Sequence, residues 1–354
     1  MKSIHAFLQS EVVQNKTPSI QYTFFDQDNI IYSFQDGLAD IKECKIATAA
    51  TTYNLFSITK TFTALAVLQL AQGGKADLKT PLQKYLPWFP YGGQVTVEQV
   101  LQHVAGIPNP LPLRWTHLEA EHKQFNRDLF FAGVFNKHDR LKFSPGVKFL
   151  YSNLGYVLLG QMIEQVSGQS YEAYVKAGIL DKISIAKQDL DFVINPAVHA
   201  KGYQQYWSFT NAILGVLIDK KKYMAEREEK WQPFRNFYVN GTPYGGMIGS
   251  AKGLIRYAQA LLDKTYPLLD EAYWKILFTE ARAGGRHTGM SLSWFTGTLK
   301  GNRYYAHAGG GGGYYVELRL YPELGVGSVV LNNRTGMRDE RMLDKTDGYF
   351  LTDK

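Results

Sequence analysis

A hydroxyl and an amine stand three residues apart in Ser57-Ile58-Thr59-Lys60. The run that follows, Thr61 to Leu70, has helix formers at most positions and stops at Gly73-Gly74. Ser57 and Lys60 therefore fall on one face of the first turn of a buried helix. At such a turn, free backbone N–H groups and the positive end of the helix dipole favour a developing negative charge. A serine hydroxyl attacks a carbonyl carbon once a base takes its proton, and a lysine becomes that base when desolvation lowers its pKa. The four-residue pattern by itself also occurs in chains where it does no chemistry, so its meaning depends on what the fold brings to it.

Two other segments carry residue types that such a reaction needs. In Phe143 to Asn153, a Pro145-Gly146 turn delivers Tyr151-Ser152-Asn153 to the start of a second helix, Leu154 to Val166, closed by Gly168. Tyr151 can relay a proton and Asn153 can hydrogen-bond a substrate amide. Equally, Ser152 or Asn153 can be a plain helix cap and Tyr151 a packed aromatic. In Tyr304 to Tyr314, a strand carrying His307 runs into five glycines, Gly309 to Gly313. Glycine in a strand permits close approach of another backbone or a ligand. These glycines match neither phosphate-cradling pattern, which argues against nucleotide binding.

Taken in order and at these separations, Ser57-x-x-Lys60, Tyr151-x-Asn153 and His307-x-Gly309 resemble the serine β-lactamase and penicillin-binding protein superfamily. The branch they look most like is the class C β-lactamase group with its related esterases and D-amino-acid peptidases. The resemblance runs from about residue 18 to about residue 335. Leu101-Gln102-His103-Val104-Ala105-Gly106-Ile107-Pro108 looks like the family's L-x-H-x-S-G-L/I stretch, with Ala105 in place of the serine, and Gly246 to Ala251 falls where the family has a similar segment.

The resemblance implies acyl transfer through a covalent intermediate on Ser57, with Lys60 accepting its proton and Tyr151 serving the leaving group and then water. It implies substrate binding by Asn153, His307, Gly309 and Gly310, with the N–H groups of Ser57 and Gly310 as the oxyanion hole. His307 stands where class C β-lactamases usually carry lysine, a departure that favours a carboxylic ester or amide over a β-lactam. A β-lactamase, a D,D- or D-amino-acid peptidase and a non-catalytic binding protein on the same fold are the alternatives.

The elements that must hold these residues are legible in outline. Ser19 to Phe25 and Ile30 to Phe34 read as a hairpin, Tyr304 to Ala308 as a strand, and Tyr314 to Tyr321 and Val326 to Leu331 as two more around Pro322-Glu323-Leu324-Gly325. Val316, Leu318 and Leu320 alternate with Glu317 and Arg319, the mark of a strand with one polar face. The expected fold class is α+β, β-lactamase/transpeptidase-like. A five-stranded antiparallel sheet from both chain ends would carry flanking helices and an inserted, mostly helical region. The expected organisation is one domain, with a sheet part over about 1–56 and 241–354 and a helical part over about 57–240. Ser250 to Leu262 reads as a helix packing on the sheet, and Ile4, Phe7, Leu8 and Val12 mark one face of an N-terminal helix. The chain ends soon after the last strand, which puts the C-terminal helix of larger relatives in doubt.

Composition sets the remaining limits. With 354 residues, 45% of them hydrophobic, the chain can bury a large core. The net charge of +7 is dispersed, and Lys220-Lys221-Lys222 with Glu226 to Lys230 reads as a solvated surface and not a nucleic-acid patch. Cys44 is the only cysteine, which rules out an intramolecular disulfide, and no Cys/His ligand cluster calls for a metal; no cofactor is expected. Met1 to Lys16 lacks the apolar core of a signal peptide and Ala212 to Ile218 is too short to cross a bilayer, so a cytoplasmic location is expected. The expected partner is a small ester, amide or β-lactam substrate, and oligomeric state is left open. The segment Gln204 to Asn240, rich in aromatics from Tyr206 to Tyr238, is expected to wall the substrate pocket. His103, His117, His122 and His287 read as turn, surface or packing residues.

Overall fold

The computed structural model describes residues 2–263, 268–335 and 342–353. Its centre is a seven-stranded antiparallel sheet: β1 (Ser19–Asp26), β2 (Ile30–Asp40), β3 (Lys45–Ile46), β4 (Phe295–Leu299), β5 (Asn302–Gly311), β6 (Tyr314–Tyr321) and β7 (Val326–Asn332), in the spatial order β4-β5-β6-β7-β1-β2-β3. The two chain ends meet where β1 pairs with β7, Ile20 opposite Asn332 and Phe24 opposite Ser328. The five strands read from the sequence are all present. The sheet is wider than expected by β4 and β3 because neither carries a readable pattern: β4 is Phe-Thr-Gly-Thr-Leu and β3 has two residues.

Both faces of the sheet are covered, which is why β1 and β6 are buried almost end to end. On one face Val316, Leu318, Leu320, Val329 and Leu331 join a large core with α2 (Thr59–Gln72), α3 (Asn153–Ser167) and α5 (Ala251–Leu262). On the other, Tyr22, Phe24, Tyr315, Tyr321 and Val330 pack with Ile4 and Leu8 of α1 (Lys2–Val13) and with Met342 and Leu343 of α6 (Met342–Asp347). Helix α6 places a short C-terminal helix after the last strand, where the sequence leaves one in doubt. Its six residues are too few for periodicity to announce.

The same helix explains a second departure. Glu317 and Arg319 lie on the face that their alternation marks as polar, yet they are 4% and 2% exposed. Arg319 pairs with Glu317 at 2.9 Å and with Asp344 of α6 at 2.7 Å. Asp347 accepts hydrogen bonds from Tyr22 (2.9 Å), Tyr321 (2.8 Å) and Ser328 (2.8 Å). The polar face is therefore buried as a connected ionic and hydroxyl network, the form in which charge is tolerated in a core. Among the described residues no helix is long and apolar enough to cross a membrane, and no cluster of His, Cys, Asp and Glu has the arrangement of a metal site.

Candidate active site

Helix α2 is buried from Thr59 to Leu68, its first turn included, so the chain enters it inside the protein. A single 3₁₀ turn, Phe56–Ile58, leads in and carries Ser57. Phe56, immediately before Ser57, has φ 46°, a backbone conformation costly for a bulky side chain. His103 (φ 57°) and Ser293 (φ 69°) are in the same region. All three border the site described next. Backbone strain of this kind persists only where the surrounding structure imposes it, and it concentrates at functional sites.

Lys60, one turn on, is wholly buried, with Nζ 3.0 Å from Ser57 Oγ and donating to the Tyr244 carbonyl at 2.8 Å. Around the amine stand the rings of Tyr151 (4.9 Å), Tyr244 (5.2 Å) and Tyr156 (5.7 Å). Burial drives its pKa well below the ordinary lysine value. No ion pair forms at Lys60 among the described residues to oppose that shift. A neutral amine against a serine hydroxyl is competent to take its proton.

Tyr151 comes from the segment before α3. Its ring lies 4.9 Å from Lys60 Nζ and its phenol 3.2 Å from His307 Nε2. Burial pushes its pKa up, so it stays a phenol at neutral pH. His307 Nδ1 meets the Ser293 carbonyl, which can only accept, so the ring proton is on Nδ1 and Nε2 accepts from the tyrosine. Burial, with the Lys60 charge next, lowers the His307 pKa to about 3, and the imidazole is neutral across the physiological range.

Asn153 is the first residue of α3, and Ser152 is the N-cap, accepting from the Gly155 N–H at 3.1 Å. The Asn153 backbone N–H donates to Asn109 Oδ1, while its own Oδ1 is buried without a hydrogen-bond partner. Lys60 is oriented by the Tyr244 carbonyl. Gly309 and Gly310 lie on β5 where it crosses the Ser57 turn. A Cβ at Gly309 would be 2.1 Å from the Leu55 carbonyl oxygen and 3.0 Å from the Ser57 nitrogen. Only glycine allows the strand that close. Ser57 and Lys60 are thus joined by one hydrogen bond and Tyr151 and His307 by another, with the Lys60 amine 4.9 Å from the Tyr151 ring between the two pairs and Gly309 against the Ser57 turn.

Sequence reasoning missed Tyr244, Ser293 and Asn109. Tyr244 and Ser293 act through backbone carbonyls, which leave no side-chain signature, and Asn109 is an isolated amide in a loop. His103 plays the structural part expected of it: Nδ1 accepts from the Ser152 N–H at 3.0 Å and the ring stacks on Tyr151 with centroids 4.3 Å apart. His117 and His122 pair with each other and stack on Tyr238. Of the aromatics in Gln204 to Asn240, Phe234 and Phe237 line a cavity beside Phe56 and Gly310. Trp231 is core, and Trp207 and Phe209 face solvent.

The family profile described as Beta-lactamase matches residues 4–348, nearly the whole chain. The chain belongs to the Beta-lactamase family. Penicillin-binding protein 4* of Bacillus subtilis (strain 168) is 24% identical over 313 residues, covering 86% of this chain and 66% of that protein. Protein flp of Staphylococcus aureus (strain N315) is 29% identical over 211 residues, 57% of this chain and 41% of the other. The chain thus spans about two fifths to two thirds of the length of these relatives. Among solved structures, an octameric penicillin-binding protein homologue from Pyrococcus abyssi superposes with a TM-score of 0.79 at 23% identity, covering 99% of this chain and 78% of that one. A D-amino acid amidase from Ochrobactrum anthropi SV3 superposes with a TM-score of 0.78 at 17% identity, covering 98% and 96%. These superpositions establish the β-lactamase/transpeptidase-like fold.

Proposed function

We propose that the chain is a serine hydrolase that cleaves a carboxylic ester or amide through an acyl intermediate on Ser57. The observation that carries this reading is a serine Oγ 3.0 Å from a wholly buried lysine amine whose charge the surroundings disfavour. Lys60 takes the Ser57 proton as Oγ attacks the carbonyl carbon. The oxyanion forms against the N–H groups of Ser57 and Gly310, donors each worth about 2.7–4 kcal/mol in the transition state. Tyr151, held protonated by burial, passes its proton to the departing oxygen or nitrogen and regains one from Lys60. Attack by water, with the same groups in reverse, releases the acid. Asn153, with Oδ1 free of protein partners, accepts from a substrate N–H.

Three features favour neutral esters over β-lactams. His307 is neutral and hydrogen-bonded on both ring nitrogens, so it offers no fixed charge to a substrate carboxylate. The relatives include a D-amino acid amidase and a D-alanine carboxypeptidase of the same fold, so the scaffold accommodates acyl chemistry outside β-lactams. The cavity beside Ser57 is apolar. Turnover of an activated short-chain ester, a D-amino-acid amide and a chromogenic cephalosporin tests the reading. Ester turnover lost in Ser57→Ala is expected. Cephalosporin as the best substrate would overturn the preference.

A further inference from the structure

A cavity of about 350 Å³ opens beside the nucleophile. Phe56 and Gly310 form the end next to Ser57; Phe237 and Phe234 form one wall, and Leu214 and Leu217 of helix α4 (Phe209–Leu217) another. Among the described residues no charged or amide side chain lines it, and the polar side chains in the wall are three threonines, Thr116, Thr210 and Thr335, and two tyrosines, Tyr223 and Tyr244. The Tyr223 hydroxyl is already engaged by the Thr116 carbonyl at 2.7 Å. Water in a protein cavity needs two to four polar partners, and apolar cavities stay dry and take apolar guests. The volume is within the range of small-molecule sites.

The position of the cavity decides which half of a substrate it receives. The leaving group departs toward Tyr151, its proton source, and neither Tyr151, His307 nor Asn153 belongs to the cavity wall. Ser57 and Lys60 are not wall residues either; Phe56, which is, directly precedes Ser57, and Gly310 follows Gly309 against the Ser57 turn, so the cavity adjoins the residue that keeps the acyl group and not the proton donor. The glycine run shapes this end: a Cβ on Gly312 would be 2.2 Å from the Phe237 ring, so glycine there lets Phe237 close the wall against the strand.

Resting on the acyl-Ser57 reading, we infer that this cavity is an acyl-chain pocket and that the favoured substrates are esters of unbranched, uncharged aliphatic acids of medium length. A D-amino acyl group is a poor occupant, since its ammonium would find no carboxylate among the described residues of the wall.

The test is kcat/KM for 4-nitrophenyl acetate, butanoate, hexanoate, octanoate and decanoate below their micelle concentrations. These esters share a leaving group and nearly the same intrinsic reactivity. The pocket predicts a rise of roughly threefold to fourfold per added methylene while methylenes are being buried, the equivalent of ~0.8 kcal/mol each, and then a break where the cavity is full. A flat or falling series from acetate onward overturns the proposal. Leu214→Trp fills the wall and should lower the hexanoate-to-acetate ratio at least tenfold. Phe209→Ser, on the solvent side of the same helix, should leave the ratio unchanged. An equal effect from both variants would show that helix packing, and not the cavity, sets the preference, and would overturn the assignment. Labelling of Ser57 by a short alkyl fluorophosphonate reports whether each variant keeps a formed site, and Leu217→Phe replaces Leu214→Trp if the latter does not label. Labelled wild-type Ser57 with a flat chain-length series defeats the pocket alone. An unlabelled Ser57 in the wild type defeats the acyl-enzyme reading and the pocket with it.

Discussion

Adding one methyl group at Gly309 probes how the strand and the nucleophile's turn are held together. The Cβ of Gly309→Ala would stand 2.1 Å from the Leu55 carbonyl oxygen and 3.0 Å from the Ser57 nitrogen. A carbon and a carbonyl oxygen approach no closer than about 3.3 Å. Strand β5 must therefore retreat from the Ser57 turn by roughly 1 Å, and both obstructing atoms are backbone that cannot rotate aside. The retreat separates the Ser57 and Gly310 N–H groups proposed as the oxyanion hole, which lie on the two segments being pushed apart. Misplacement by about 1 Å costs on the order of 10²-fold in rate, and loss of one oxyanion donor about 10²–10³-fold. Gly309→Ala should lower kcat for 4-nitrophenyl acetate by roughly 10²-fold. Gly310→Ala is the comparison: its Cβ would meet only the Tyr314 carbonyl oxygen at 3.6 Å and the Tyr315 ring at 3.7 Å, ordinary contacts, so it should cost far less. Steady-state kinetics with a thermal midpoint for each variant checks this. The reasoning fails if folded Gly309→Ala keeps more than about a third of wild-type turnover, or if the two substitutions are equally damaging.

Further outcomes follow from the same geometry. Lys60→Ala and Tyr151→Phe should each lower kcat by roughly 10²-fold or more, the scale of general acid–base assistance; near wild-type turnover in either would remove the proton-transfer role given to it. His307→Lys should raise the cephalosporin-to-ester ratio of kcat/KM if charge at this position matters. Because His307 is 1% exposed, the change should respond little to salt, and an unchanged ratio would assign the discrimination to pocket shape. His199, buried between Thr52 and Tyr314, has its pKa lowered by burial to about 3, as His307 does. Between pH 6.5 and 3 the unfolded chain binds these protons and the folded one does not, so stability falls as pH falls, by about 1.4 kcal/mol per pH unit for each histidine. His199→Gln should flatten that slope in urea titrations at pH 6, 5 and 4; an unchanged slope would show that His199 takes its proton in the folded state. Asp347→Ala strands the hydroxyls of Tyr22, Tyr321 and Ser328 and an ion partner of Arg319, and should cost roughly 3–5 kcal/mol. A loss below about 1 kcal/mol would mean that the network relaxes around the gap.

The parts of the molecule that the sequence discloses are those where side chains carry the information. Ser57 and Lys60 are three apart on a helix whose apolar composition already says it is buried. Helices α3 and α5 announce themselves through Ser152, Gly168 and Ser250, residues whose capping roles the structure repeats. Polar alternation in β6 marked a strand correctly but not its burial. What covers Arg319 and its partner Glu317 is α6, about 25 residues away, and no local pattern encodes that meeting. Strand β4 was missed because Gly297 interrupts a short Phe-Thr-Gly-Thr-Leu segment. The lysine's anchor and the histidine's tautomer rest on the carbonyls of Tyr244 and Ser293, and a carbonyl is the same at every residue. Among the pocket residues, the aromatics carry a sequence signal for a pocket wall while Leu214 and Leu217 individually carry none, since leucines at helical spacing are ordinarily core.

The central claim is that Ser57 carries the acyl group. Intact-mass and peptide mass spectrometry after brief incubation with a short alkyl fluorophosphonate measures it directly. One phosphonyl adduct is expected, on the peptide containing Ser57, formed more slowly in Lys60→Ala and absent in Ser57→Ala, with ester turnover lost in step. An adduct on another residue, together with a Ser57→Ala protein that still turns over ester, would contradict the account.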